Sequence, residues 1–571
     1  MHDIVIRGGM IVDGSGAPAF VGDVAIDGER ISRVGLVPER GREDIDATGK
    51  IVSPGFIDLH THYDAQVMWD PILAPTSWNG VTTIVMGNCG VGFAPARPDS
   101  RNFLMEVMEA VEEIPQPVLR DGLAWDWESF PEYLDAIERR QHTIDIGTQV
   151  GNVALRRYVL GDRSGSPEPA SSQEIETMNS LLEEALRAGA LGFSFSRTDV
   201  HRMTDGSVIP GADVPTADAF GMSGSLAAVG GRVIQFLGNA HAHLDEDMED
   251  IVELARRSRS AIHFPMTDMR WRERIDMIER AAAEGLDLYG QVPPRGQGAV
   301  AHWDSASRPF ENCPSFQAIA HLPLAERLTK LRDPEVRSRI IAEFDPATDS
   351  LARRTPLSRI FPAGDYPNYE PDPEIDSIAA IASATGSSPA ALMYDEMMRD
   401  DGTGMLIATI FNYAAGDFSD IREILLQRGT IPSMSDAGAH STRVVDAAQP
   451  TFMLQHWVRD RTRGEKLPLE TVIKGYTRDA AVSYGMLDRG LVAEGYLADL
   501  NIIDLTSVRL PKPYRAYDLP AGGLRLLQKP EGYIATIKRG VVTFRNGEHC
   551  GRFPGQLVRG AQPALIATAA A

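Results

Sequence analysis

The 571-residue chain is 43 % hydrophobic and 24 % charged, a composition that supplies a large buried core, divided between one big domain and a smaller one, and excludes extensive disorder. Its 56 Lys and Arg against 79 Asp and Glu leave a net charge of −23, which repels phosphate backbones and anionic lipid, so neither nucleic acid nor membrane is an expected partner. Cys89, Cys313 and Cys550 are too few and too scattered for a disulfide framework, and no apolar run approaches the ~20 residues of a membrane span; a cytoplasmic location is the default expectation.

The first segments, DIVIRGGMIVDGSG and VGDVAIDGERISRVG, alternate short apolar runs with Gly and Asp turns, the pattern of hairpins in a small sheet. LADLNIIDL and YIATIKRGVVTFRNGEH repeat that texture near the end. Residues 1–54 and 486–571 are therefore expected to form one β-sandwich domain built from both termini. Between them, over 55–485, short apolar strands alternate with helices. From Ser171 a helix carries Ile175, Met178, Leu181, Leu182, Ala185 and Leu186 on one face, with Gly189 as its stop.

Nine strand candidates occur for the eight places of a closed barrel: GFIDLHTH, VTTIVMG, TIDIGTQVG, LGFSFS, RVIQFL, AIHFPMT, LDLYGQV, LIATIFN and IPSMSD. LIATIFN is the strongest candidate for the extra one. The predicted fold is α/β, a distorted (β/α)8 TIM-like barrel with the small sandwich attached. An irregular insertion over about 296–373, with a helix around AERLTKLRDPEVRSRIIAEF, could roof a pocket.

Why does GFIDLHTHYD end a hydrophobic run in two histidines? Residues i and i+2 of a strand share a face, so His60 and His62 project together, and the C-terminal end of a barrel strand is where such folds build sites. Neutral imidazole favours zinc and similar divalent ions, whereas a lone His-x-His can equally be a hydrogen-bonded strand end. Asp58 lies on the same face and, if buried, needs a partner. The second strand ends in MGNCGVGFAP, where glycines surround Cys89, a potential thiolate ligand. IPSMSDAGAHST delivers Asp436 at another strand end, able to bind metal and accept a proton from water, with His440 a helical turn further on. Arg197 and Arg295 follow strand ends and, with His440, are candidates for holding a substrate carboxylate. Tyr63, Trp69, Trp78 and Trp303 are candidates for lining an acyl pocket, although single aromatics more often pack.

PGFIDLHTHYD, GNCG and SDAGAH, in this order across an α/β barrel, resemble the amidohydrolase superfamily and within it the N-acyl-D-amino-acid deacylase group; GFSFSRT and TRDAAVSYGMLDRGLVAEGYLADLNIID extend the likeness over most of the chain. The resemblance implies His60, His62 and Asp436 as metal ligands, Asp436 also as general base, and Cys89 in place of a carboxylated lysine. It implies one or two divalent ions, zinc first, and hydrolysis of a small N-acylated substrate. The group's histidines after strands five and six are matched only loosely by His241 and His243 and by His263, and its Gly-His after strand three reads Gly151-Asn152. A one-metal site is thus as compatible as a two-metal site, with His263 as the weakest ligand candidate. Deacylation of an N-acyl D-amino acid is the leading expectation. A larger hydrophobic amide as substrate, or an inactive barrel used for binding or assembly, are the alternatives, and the apolar tail AQPALIATAAA suits contact within a homo-oligomer.

Overall fold

The computed structural model describes residues 1–198, 201–212, 215–239 and 243–563. Among these, eight parallel strands follow one another around a curled sheet: Phe56–Asp58, Val81–Met86, Asp145–Gly151, Gly192–Ser196, Val233–Leu237, Ala261–Pro265, Leu288–Val292 and Thr430–Pro432. We call them strands one to eight. Strands two and three are buried along their whole length, so the polar side chains they carry, such as Asp145 and Gln149, need partners inside the fold. Just beyond the last ladder, a bridge between Thr61 and Ala437 joins the end of strand one to the end of strand eight.

Helices cover the sheet by burying one stripe each. Ser172–Ala188 starts on a capping box between Ser171 and Glu174, buries Met178, Leu182, Ala185 and Leu186, and stops at Gly189, whose φ of 123° suits glycine. LIATIFN is indeed outside the barrel. As Leu406–Phe411 it pairs antiparallel with Gln297–Ala301 and Ile360–Pro362 in a separate three-stranded sheet. This unit is inserted between strands seven and eight and has its own core around Trp303, Phe310, Phe316, Tyr394 and Met397. It extends past residue 373, because the helix Pro389–Gly402 and the strand Leu406–Phe411 share that core.

Both termini supply one nine-stranded sheet, as the matching hairpin textures predict. Ile51–Pro54 pairs antiparallel with Leu500–Ile503, and Ile6, Ile11, Val24, Val52, Leu500 and Ile502 pack in its core. The C-terminal part does more than complete this sheet. Its ribbon, Tyr514–Leu519 with Gly523–Leu527, reaches the C-terminal mouth of the barrel, where the Leu526 amide donates to the Ser441 carbonyl at 2.7 Å. No described helix is long and apolar enough to cross a membrane.

A buried ion cluster locks the terminal sheet to the barrel floor. Asp145, at the start of strand three, takes Arg489 at 2.7 Å, Lys538 at 2.9 Å and Arg539 at 3.1 Å, and Lys538 also meets Asp499 at 2.7 Å. Burial alone raises a carboxyl pKa, but Lys538, Arg489 and Arg539 outweigh it and hold Asp145 well below the usual carboxylate range. A carboxyl depressed on folding adds stability above its unfolded pKa of about 3.9 and loses that contribution as pH falls below it. Asp145→Asn strands three cations and is expected to destabilise the protein by about 3–5 kcal/mol at neutral pH, an effect that shrinks on acidification. Denaturant unfolding at pH 7 and at about pH 3, below the unfolded pKa, checks this; equal midpoints for mutant and parent at pH 7 contradict it.

Candidate metal centre

The end of strand one lies against the end of strand eight. The His62 amide donates to the Ala437 carbonyl at 2.8 Å and the Asp436 amide to the His60 carbonyl at 3.2 Å, so the two histidines and the aspartate are fixed by backbone bonds. The partner that buried Asp58 requires is Ser435, whose hydroxyl donates to Asp58 Oδ2 at 2.6 Å. Cys89 arrives from strand two on the GNCG loop. Gly87 has a φ of 76°, and a Cβ there would meet the Gln149 carbonyl at 2.3 Å, so only glycine fits. Asn88 donates to the Thr61 and Val85 carbonyls, both at 3.1 Å.

His60 Nε2 is 3.3 Å from Cys89 Sγ and 3.4 Å from Asp436 Oδ1, and His62 Nε2 is 3.9 Å from the same oxygen. Donor atoms of His60, His62 and Cys89 all lie within 4.8 Å of one another. Bonds of 2.0–2.3 Å about a tetrahedral ion set its donors roughly 3.3–3.6 Å apart, a range that the His60–Cys89 and His60–Asp436 spacings match and the 3.9 Å between His62 and Asp436 exceeds. Nδ1 of His60 donates to Gln291 Oε1 at 2.7 Å, which leaves the Nε2 lone pair facing the cluster. Burial lowers the His60 pKa to about 4 and that of His62 well below its ordinary value, so both rings are neutral and ready to ligate.

Burial pushes the Cys89 thiol well up, with Glu112 and Asp436 adding to the effect. It also raises the Asp436 carboxyl to about 7, assisted by Asp446 and opposed by His440 and Arg443. A set of donors that burial and mutual repulsion hold in their uncharged forms is what a cation relieves. Cys89, Met434, Asp436 and His440 have φ of 54°, 66°, 48° and 45°, so four non-glycine residues of the site are held in the left-handed region.

These residues open on a cavity of about 200 Å³ that Glu112, His201, Arg443 and Asp446 also line, together with Gln297, Gly298, Ile410 and Phe411 of the inserted unit. Glu112 Oε1 lies 3.5 Å from His62 Nδ1, and its Oε2 lies 3.7 Å from His440 Nε2. Arg443 pairs with Glu113 at 2.6 Å and donates to Ser307 at 3.0 Å. Neither Glu112 nor His201 belongs to a motif. Glu112 was still discernible, since it continues the buried Leu104, Met108 stripe of the helix Arg101–Glu112, where a carboxylate has no packing reason to be.

His440 lines the cavity, but Arg197 and Arg295 do not. Arg197 is held by Asp247, Asp250 and Thr216; Arg295 bonds Asp446 at 2.6 Å and lies over the Tyr369 ring. His263 points into the barrel below the site, between Tyr289 and Tyr484, with Nε2 at 3.4 Å from the Ser483 carbonyl; it is not part of the donor cluster. His243 is an exposed partner of Glu246, and His241 lies outside the described residues. Trp303 packs inside the inserted unit, whereas Trp69 lines a narrow cavity next to Asp436.

The model of the amidohydrolase family matches residues 43–544. The chain belongs to the amidohydrolase family. As a member of it, the protein is a hydrolase of carbon–nitrogen amide bonds. It is similar to the D-aminoacylase of Alcaligenes xylosoxydans xylosoxydans, 26 % identical over 521 residues that cover 89 % of each chain. It is likewise similar to the N-acyl-D-aspartate deacylase of that organism, 27 % identical over 517 residues covering 89 % of this chain and 86 % of the relative. Among solved structures, a D-aminoacylase superimposes with a TM-score of 0.66 at 22 % identity, covering 98 % of this chain and 100 % of the other. The N-acyl-D-glutamate deacylase from Bordetella bronchiseptica, complexed with zinc and a phosphonate inhibitor, does so with a TM-score of 0.63 at 22 % identity, covering 98 % and 99 %. These likenesses show the barrel with its split terminal sheet to be a shared fold.

The three cysteines differ sharply in environment: Cys89 and Cys313 are buried and Cys550 is exposed. In metal-free native protein one thiol is expected to react rapidly with a disulfide reagent at pH 8, and Cys550→Ser should remove that fast phase; three react after unfolding. Fast modification of Cys89 in the native state contradicts the environment described.

Proposed function

We propose that this amidohydrolase removes the acyl group from N-acyl amino acids of D configuration, using one divalent ion, zinc, held by His60, His62, Cys89 and Asp436. The observation that carries the reading is the meeting of these four side chains, from three strand ends, in one cavity that also presents a guanidinium. The names of the relatives, a D-aminoacylase and an N-acyl-D-aspartate deacylase, support the substrate class and configuration. A zinc ion held by these residues would supply Lewis acidity, lowering the pKa of a water and polarising the amide carbonyl.

The remaining work falls to the protein's own groups. Asp436 takes the proton of the attacking water and returns it to the departing amine nitrogen; with 21 % of its side chain open to the cavity, it can reach both. Arg443, with His440 beside it, receives the substrate carboxylate, the role that Arg197 and Arg295 cannot fill because neither lines the cavity. Gln291 fixes the ring of His60, and Glu112 stands 3.5 Å behind that of His62.

Metal analysis of the purified protein is expected to find about one zinc per chain, lost in His60→Asn and Cys89→Ala and kept in His263→Asn. Asp436→Asn is expected to lower kcat for N-acyl-D-amino acids by ~10²–10⁴-fold, and esterifying the substrate carboxylate should raise KM. Unchanged hydrolysis in Asp436→Asn removes the proposed base. Equal activity on free acid and ester removes the amino-acid substrate class.

A further inference from the structure

A second cavity of about 160 Å³ opens beside the metal centre, at the ends of strands five and six. The two share His201, Leu237, Gln297, Phe411 and Met434 as common wall. Beyond that wall the lining is largely apolar, with Leu244, Met248 and Ile251 from the helix Leu244–Ser258, Phe264 from strand six and Met277 from the helix Trp271–Ala283, and with Thr198, Asn239 and Thr267 as its uncharged polar members. The charged side chains that touch it are engaged. Asp247 accepts from Arg197 and from the Asn239 amide, and Arg274 donates to the Pro265 carbonyl at 3.1 Å. Such a chamber offers contact area to a hydrocarbon and little to a polar chain.

We propose that this chamber is the acyl subsite, and that the protein acts on amino acids carrying a medium-length aliphatic or an aryl acyl group in preference to N-acetyl ones. The inference rests on the deacylase reading above. Its direction comes from which residues line which cavity. Asp436, Arg443 and His440 line the metal cavity and are absent from the lining of the second. The amine nitrogen must lie near Asp436 to receive its proton, and the carboxylate near Arg443. The acyl half of the amide therefore leaves on the other side, past Met434 and Leu237. About 160 Å³ is several times the roughly 30 Å³ that a water occupies in the liquid, room for a chain or ring of about five or six heavy atoms. An acetyl group leaves it empty.

Two measurements on the metal-loaded protein test this. First, kcat/KM is compared across N-acetyl, N-butyryl, N-hexanoyl and N-phenylacetyl derivatives of several D-amino acids, for the parent and for Met248→Trp, which fills the chamber from its partly exposed side. The parent should favour hexanoyl over acetyl by ~10-fold or more, the gain expected for burying several methylenes. Met248→Trp should erase that gain, bringing the hexanoyl-to-acetyl ratio of kcat/KM down to within about twofold. Second, calorimetric binding of hexanoate and acetate reads the chamber without turnover, and hexanoate should bind ~10-fold tighter to the parent only. Equal binding of the two acids, a flat acyl series, or a Met248→Trp effect that is the same for both chain lengths overturns the acyl subsite. Tighter hexanoate binding with no turnover of any derivative keeps the subsite and rejects the deacylase reading alone.

Discussion

The candidate centre depends on one seam. Strands one and eight are the two edges of the curled sheet, far apart in sequence, and they meet through the Thr61–Ala437 bridge, the backbone bonds flanking it and the contacts of Ser435 with Asp58 and the His60 carbonyl. That seam sets His60 and His62 opposite Asp436. A donor cluster assembled from main-chain hydrogen bonds is more rigid than one carried on free side chains, and rigidity is what a ligand set of fixed spacing requires. The strained φ angles at Cys89, Met434, Asp436 and His440 are tolerated because the surrounding barrel over-determines them.

Polar residues inside the barrel serve this arrangement. Gln149, Gln235 and Gln291, from strands three, five and seven, bond Asn88, the Cys89 amide and His60 respectively. Placing amides in an apolar interior costs free energy unless they are paired, so their presence beneath the donors is explained by support for the GNCG loop and the His60 ring. His263 also faces inward but lies deeper, sandwiched by Tyr289 and Tyr484, and there an imidazole acts as a packing group.

Enclosure comes from outside the barrel. The inserted unit contributes Gln297 and Phe411 to both cavities, and the C-terminal ribbon brings Leu519, Leu526 and Arg525 against the narrow space next to Asp436. Excluding water around a charged centre strengthens every electrostatic interaction within it, so these additions matter to chemistry as much as to shape. The ion cluster at Asp145 secures the opposite end of the barrel.

The sequence by itself determined whatever is local or carried by a periodic pattern: the barrel rhythm, the odd strand LIATIFN, the split terminal sheet, and the i, i+2 pairing of His60 with His62. Cys89 and Asp436 were legible because each sits at a strand end within a glycine-marked turn. Only the tertiary structure decided which cations face the cavity. Arg197, Arg295 and Arg443 look alike in sequence and each is paired with a carboxylate in the fold, yet of the three Arg443 alone lines the site. The same holds for Glu112 and His201, which no motif announces, and for the apolar chamber at strands five and six. Strand and helix periods fix the direction of a side chain relative to its own element; what it meets there depends on contacts between segments hundreds of residues apart, which no local pattern records.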